Sequence, residues 1–313
     1  MPALVETMFY QGEVPWHRLG TKVDHVLTSE EAIIEAGLDW DVELVSVAVN
    51  KKVVPEFKAI RRATDKKLYN IVRNRYTPIQ NREAFSFFDN VVGEKVAMFH
   101  TAGSLRDGAQ IWMLAKLPDS FSIKGEEIQK YICLTNSHDG TSAMKMFWTP
   151  VRVVCSNTLA MAEGKAATKF YTRHTQGYKN KFEIARDILG ISNNYYQHWI
   201  EEAEHLANHP INSEGLEVML RTAFGYKVTV EEKDIYKPII AQMNKVKELM
   251  EVGRGMDNTI IRGTKWQAYN ALVEFVDYYK PTRSKKEESI LSSAWFGYGA
   301  VMKNRAWNHL LKV

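Results

Sequence analysis

The feature that most constrains this chain is a change of hydrophobic period. From Trp40 to Cys155, one helical stretch at 81–92 apart, apolar residues recur mostly at every second position, the pattern of a pleated strand. After about Ser156 they recur every third or fourth position, the pattern of an amphipathic helix. A chain that places strands first and helices second does not build alternating βαβ units. The expected class is therefore α+β, with an antiparallel meander in the first half packed with helices and a mostly helical second half. The expected division is 1–175, a mostly β domain carrying a basic hairpin, and 176–313, a helical region that packs on it or merges with it into one domain.

Local signals divide the chain further. Thr28 has Glu31 three positions on, a capping box that starts a short helix ended by Gly37. "WDVELVSVAVN", "KKVVPEFKAIRRA" and "KKLYNIVRNRY" follow one another across Asn50-Lys51 and Thr64-Asp65 and read as a three-stranded meander. "NREAFSFFDNVV" has helical spacing, with Asn81 a candidate cap. Four more strands are expected in "KVAMFHTAGS", "AQIWMLAKLP", "KYICLTNS" and "MKMFWTPVRVVC", the first two joined by a turn at Arg106-Asp107-Gly108. A short helix is expected near 157–164, then a strand in "ATKFYTRHT" and helices at about 179–208, 213–224, 231–252, 262–280 and 285–312. The first 24 residues read as irregular.

Composition excludes several classes. The 313 residues are 45% apolar and 25% charged, the balance of a globular protein rather than a disordered one. Two cysteines, Cys133 and Cys155, make no disulfide framework. The N-terminal stretch lacks the charged and apolar regions of a signal peptide, and no run of about 18 apolar residues predicts a membrane span. The expectation is a cytoplasmic protein without a cofactor.

Charge is concentrated rather than spread. Residues 51–76 hold Lys51, Lys52, Lys58, Arg61, Arg62, Lys66, Lys67, Arg73 and Arg75 against two acids, Glu56 and Asp65. Phe57, Tyr69 and Tyr76 lie among them. A second run, 165–181, holds Lys165, Lys169, Arg173, Lys179 and Lys181 with no acid, beside Phe170, Tyr171 and Tyr178. Cations follow phosphates while aromatic rings stack bases, so this mixture suits a single-stranded polynucleotide. If seven phosphates were contacted, log affinity against log salt would fall with a slope of about −5. The alternative reading is a set of solvated strand faces with the rings turned inward.

The stretch from Thr135 to Gly164 holds the remaining chemistry. Asn136-Ser137-His138-Asp139-Gly140 has turn composition at a strand end. His138 and Asp139 are candidates for acid–base or metal chemistry, with His100 and Asp107 as companions; Cys155 and His138 could also form a nucleophilic pair. Lys145 and Arg152 lie near an expected helix start at Ser156-Asn157-Thr158, where free N–H groups would receive a phosphate. Glu201, His205 and His209 share one helical face, with His198 a turn before Glu202; a solvent-facing stripe explains them and no metal site is expected. Trp266, Tyr269, Leu272, Val273 and Val276 read as core.

Several pieces together resemble one family, the phage- and plasmid-borne proteins of "domain of unknown function 932". They are "PWHRLG" (15–20), "GLDWDVELVSV" (37–47), "YTPIQNREAFSFFDNVVG" (76–93), "AGSLRDGAQIWMLAKLP" (102–118), "LTNSHDGTSAM" (134–144), "PVRVVCSNTL" (150–159) and "SAWFGYGAVMKNRAWNHL" (293–310). The resemblance implies a mobile-element setting and the cytoplasm of a bacterial host; it supplies no catalytic set. A looser similarity, in element order and charge, is to phage single-strand annealing recombinases of the Red-beta and Erf type, which assemble into rings or filaments. Three functions follow as expectations. The first is single-stranded DNA binding or annealing in recombination or replication, by a possible homo-oligomer. The others are a protein that binds a host defence factor, and a nuclease or nucleotide hydrolase.

Overall fold

A computed structural model describes residues 7–11, 20–92, 98–152, 157–158, 169–179, 181, 192–227, 229–282, 293–295 and 297–313. The fold is mixed α+β. Among the described residues no helix is long and apolar enough to cross a membrane. The chain divides into two compact units: residues 1–118, 131–148 and 166–191 in the first, and 119–130, 149–165 and 192–313 in the second.

In the first unit, β1 (Met8–Gln11) lies between β2 (Thr21–Val23), its parallel neighbour, and β6 (Met98–Leu105), its antiparallel one. The N-terminal segment is thus part of the sheet, although no alternation marks it in sequence. Gly103 makes the approach possible: a Cβ there would stand 2.5 Å from the Thr7 carbonyl oxygen. β7 (Gln110–Ile123), β8 (Glu126–Ser137) and β9 (Met144–Arg152) continue the sheet in order, and β11 (Lys169–Thr172) pairs with β9. β7 and β8 run longer than their apolar runs because Lys124 and Gly125, both at positive φ, close the hairpin beyond them.

A separate three-stranded sheet is formed by β3 (Val42–Val49), β4 (Lys52–Arg62) and β5 (Leu68–Arg73). Its first turn is Asn50-Lys51, both at positive φ, as a two-residue hairpin connection requires. Helix α1 (Ser29–Glu35) starts on the capping box between Thr28 and Glu31. Helix α2 (Asn81–Val92) lays Phe85 and Phe88 against Phe99 of β6, and Phe87 against Phe170 of β11. Asn81 is not its cap. The Gln80 N–H is met by the Glu83 carboxylate at 3.0 Å, and Asn81 is the first helical residue with its side chain turned elsewhere.

The second unit is built from α3 (Ser192–Asn208), α4 (Ser213–Phe224), α5 (Lys237–Val252), α6 (Lys265–Glu274), a π-helical turn (Phe275–Tyr279) and α7 (Tyr298–Leu310). α6 is buried on every side. The rings of Trp199 and Trp307 stack at 5.2 Å, with Trp266 and Tyr269 edge-on around them. Of the expected helix at 157–164 two residues are described: Asn157–Thr158, here β10, is extended and pairs with Arg152 and Val151 of β9. Residues 159–164 lie outside the described residues.

Candidate functional site

The first unit closes a polar corner at the end of β8. Asn136 and His138 stand two apart and so reach the same side, where they meet the chain entering α2. Asn136 Nδ2 donates to the Ile79 carbonyl at 3.0 Å. Asn81 Nδ2 donates to the carbonyls of Leu38 at 2.9 Å and Trp40 at 3.3 Å, so its Oδ1 is an acceptor. His138 Nε2, 2.7 Å from that oxygen, must therefore carry the proton. The ring is left with a bare lone pair on Nδ1, which is buried and meets no hydrogen-bond partner; the same is true of Asn136 Oδ1. The Trp40 ring meets the imidazole edge-on at 5.3 Å, and Tyr69 stacks at 6.4 Å. Burial pushes His138 down to about 3, with the neighbouring His174 adding to the effect, so the ring is neutral.

A tight loop follows. Burial opposes the charge of Asp139, but hydrogen bonds from Ser137 and Thr141, with Arg106 nearby, outweigh it and hold the carboxyl below its usual range. Thr141 supplies both its N–H at 3.0 Å and its hydroxyl at 2.6 Å. Gly140 follows at φ +72° directly under Val72 of β5; a Cβ would stand 2.9 Å from Val72 Cγ1. Asn70 of β5 donates to the Asp139 carbonyl at 2.7 Å, which ties the small sheet to this loop.

Each of the four candidate acid–base residues is engaged by its own neighbours. His138 is 0% exposed and Asp139 is engaged by its own loop. Asp107 pairs with Lys67 at 3.0 Å. His100, pushed down to about 4 by burial, packs edge-on against Tyr131. Cys155 lies outside the described residues. Among the described residues no group of three or more His, Cys, Asp or Glu could hold a metal ion. The histidine row of α3 is a surface feature: His205 stacks on His209 at 3.9 Å and His198 meets Glu202 at 2.9 Å.

The expected cations sort into two groups. Arg61 and Lys66 share Glu43, Arg62 pairs with Asp65 beneath the Trp40 ring, Lys67 takes Asp107, and Lys179 takes Glu83 at 3.2 Å. Lys58 is half-buried and donates to Ser46. The exposed remainder, with no carboxylate partner among the described residues, is Lys51, Lys52, Arg73, Arg75, Lys145, Arg173 and Lys181. The side chains of Arg152 and Lys169, and all of Lys165, lie outside the described residues. The expected phosphate seat at a helix start beside Arg152 falls largely outside the described residues; within them Asn157 and Thr158 pair with β9.

The two basic segments meet. The Thr77 N–H donates to the His174 carbonyl at 3.0 Å, and the Tyr76 ring stacks on His174 at 4.8 Å and 8°. Arg75 and Arg173, each one residue from that stack, are exposed beside it. The rings are assigned differently from the sequence expectation. Tyr69 turns toward His138, and Tyr76 stacks on His174 and donates to the Ser137 carbonyl at 3.4 Å, so both rings are half-buried. Phe57 and Tyr171 are the outward rings, 40% and 55% exposed. Tyr171 stands opposite Lys145 across the β9–β11 pair and beneath Lys181 at 5.9 Å.

Fold and surface together define an α+β protein whose first unit carries exposed cations and rings over an apolar core with one buried polar corner. The chain belongs to the family described as Domain of unknown function (DUF932), whose model matches residues 69–295. No curated protein and no solved structure matches it.

Proposed function

We propose that the first unit binds nucleic acid, single-stranded DNA above all, and serves annealing or protection of strands in recombination or replication. The observation that carries this reading is the joint at Thr77 and His174. It brings the uncompensated ends of two cationic segments, far apart in sequence, to one place. Arg73, Arg75 and Arg173 contact phosphate there; Lys145, Lys181 and Tyr171 extend the surface along β11, and Lys51 and Lys52 along the hairpin. The resemblance to phage annealing proteins agrees with this reading and adds a ring or filament of copies.

Fluorescence anisotropy of a labelled oligonucleotide across a salt series tests it. Micromolar or tighter binding that weakens with salt supports the reading, and no binding at low salt ends it. Changing Arg73, Arg75 and Arg173 together to Glu weakens binding and reduces the log–log salt slope by about 2, at ~0.7 per phosphate. An unchanged slope would remove these three residues from the interface.

A further inference from the structure

We propose that the outward face of the β3–β4–β5 sheet holds unpaired bases, with Phe57 as the stacking residue, so that this protein takes single strands and rejects duplex. The inference rests on the nucleic-acid reading above and specifies which surface discriminates. Cross-strand register defines the face. Phe57 lies opposite Arg73, Ala59 lies between Val45 and Ile71, and Arg61 lies between Glu43 and Leu68. Residues directly opposite share a face, so Phe57, Ile71 and Leu68 stand on one face as diagonal neighbours around Ala59, which they leave only 7% exposed. They are 40%, 50% and 59% exposed. The opposite face of the same sheet is partly covered: Ile60 is fully buried, Val72 is half-buried against Gly140, and Asn70, though exposed, reaches the Asp139 carbonyl.

An exposed apolar face of this kind rimmed by polar groups marks a binding surface. Its rim selects the occupant. Arg73 lies beside Phe57 with no carboxylate partner among the described residues, Arg75 follows it, and Lys51 and Lys52 extend from the hairpin end. Cations around an apolar floor complement a chain with anionic links and flat apolar faces, which is a single strand with its bases turned to the protein. In a duplex the base faces are stacked on one another and only edges and phosphates are offered. Such a strand would reach the cations but leave Phe57, Leu68 and Ile71 uncovered. Stacking is tolerant of base identity because every base has a π-face, so no sequence preference follows.

The test compares a labelled oligothymidylate with a duplex of equal length, using the full chain, Phe57→Ala, and Phe57→Ala with Ile71→Ser. The side chains are exposed, and an unchanged circular dichroism spectrum and melting temperature verify the fold of each variant. The expected result is preference of the full chain for the single strand. Phe57→Ala should lose roughly tenfold in single-strand affinity, with duplex binding and the salt slope unchanged. Equal affinity for both strands, or variants that bind like the full chain, overturns the inference while leaving the nucleic-acid reading standing. No binding of either probe at low salt overturns both. If the double variant binds as before but changes sedimentation from oligomer to monomer, the face joins copies of this chain and the inference falls.

Discussion

The two units treat buried polarity in opposite ways. In the second, charge is buried with its counterpart. Lys303 pairs with Asp277, both almost inaccessible. Lys265 donates to the Leu310 and Val313 carbonyls, Gln267 bridges Met250 and Gly263, and Glu274 accepts the Arg254 N–H at 2.9 Å, although Asn270 Oδ1, Trp199 Nε1 and Thr149 Oγ1 stay open. In the first unit most cations are kept at the surface, Arg62 being the buried exception with Asp65 as its partner, and a buried corner holds neutral imidazoles and amides with open acceptors at His138 and Asn136. Paired buried charge fixes a single packing and tolerates no removal of one partner. Neutral buried histidines tolerate the fold only while they stay neutral.

The largest expected effect tests the first half of that contrast. Lys303→Met leaves the Asp277 carboxylate buried beside an apolar chain and should cost about 3–5 kcal/mol. Adding Asp277→Leu should recover most of it. Urea unfolding followed by tryptophan fluorescence measures both, and equal losses in the single and double variants would show that the pair is not what matters.

Acid should act on the other unit. His138 and His174 are held at about 3 and about 4, chiefly by burial, against an ordinary value of 6.5. As pH falls through 6.5 the unfolded chain takes up protons that the folded chain refuses. The stability they contribute is complete above 6.5 and is lost progressively toward pH 4 and below, on the order of a few kcal/mol. Urea midpoints at pH 7.5 and 5 report the loss. His138→Leu should flatten the dependence, and a slope as steep as before would assign it to other groups.

The smallest effect concerns the α1 cap. Thr28→Ala removes the acceptor for the Glu31 N–H and should cost about 1 kcal/mol. Thr28→Ser should retain most of that, and thermal melts of the pair measure it.

How much was legible depended on the range of the interaction. The capping box, the turn at Asn50-Lys51 and the burial of Trp266, Tyr269, Leu272, Val273 and Val276 follow from neighbours a few positions apart, and the structure contains them. The facing of the aromatic rings did not follow. Plain alternation places Tyr69 with Ile71 and Arg73 on one face. The register between β4 and β5 shifts there, with Asn70 opposite Ile60 and Leu68 opposite Arg61, so Tyr69 is the extra residue and turns inward. Neutralisation was equally hidden: Glu43 and Asp107 lie outside the basic run in sequence yet engage Arg61, Lys66 and Lys67.

By itself the sequence determined the α+β class, the positions of most strands and helices, and the concentration of cations in two segments. Period, turn chemistry and charge are local properties that survive in the unfolded chain. Tertiary structure decided which cations remain free, which rings face solvent, and that His138 becomes a neutral ring with a bare Nδ1. Those outcomes depend on pairing between residues tens of positions apart, such as Asn81 with His138 and Thr77 with His174. Such contacts form only when folding removes water from both partners, and no local pattern encodes them.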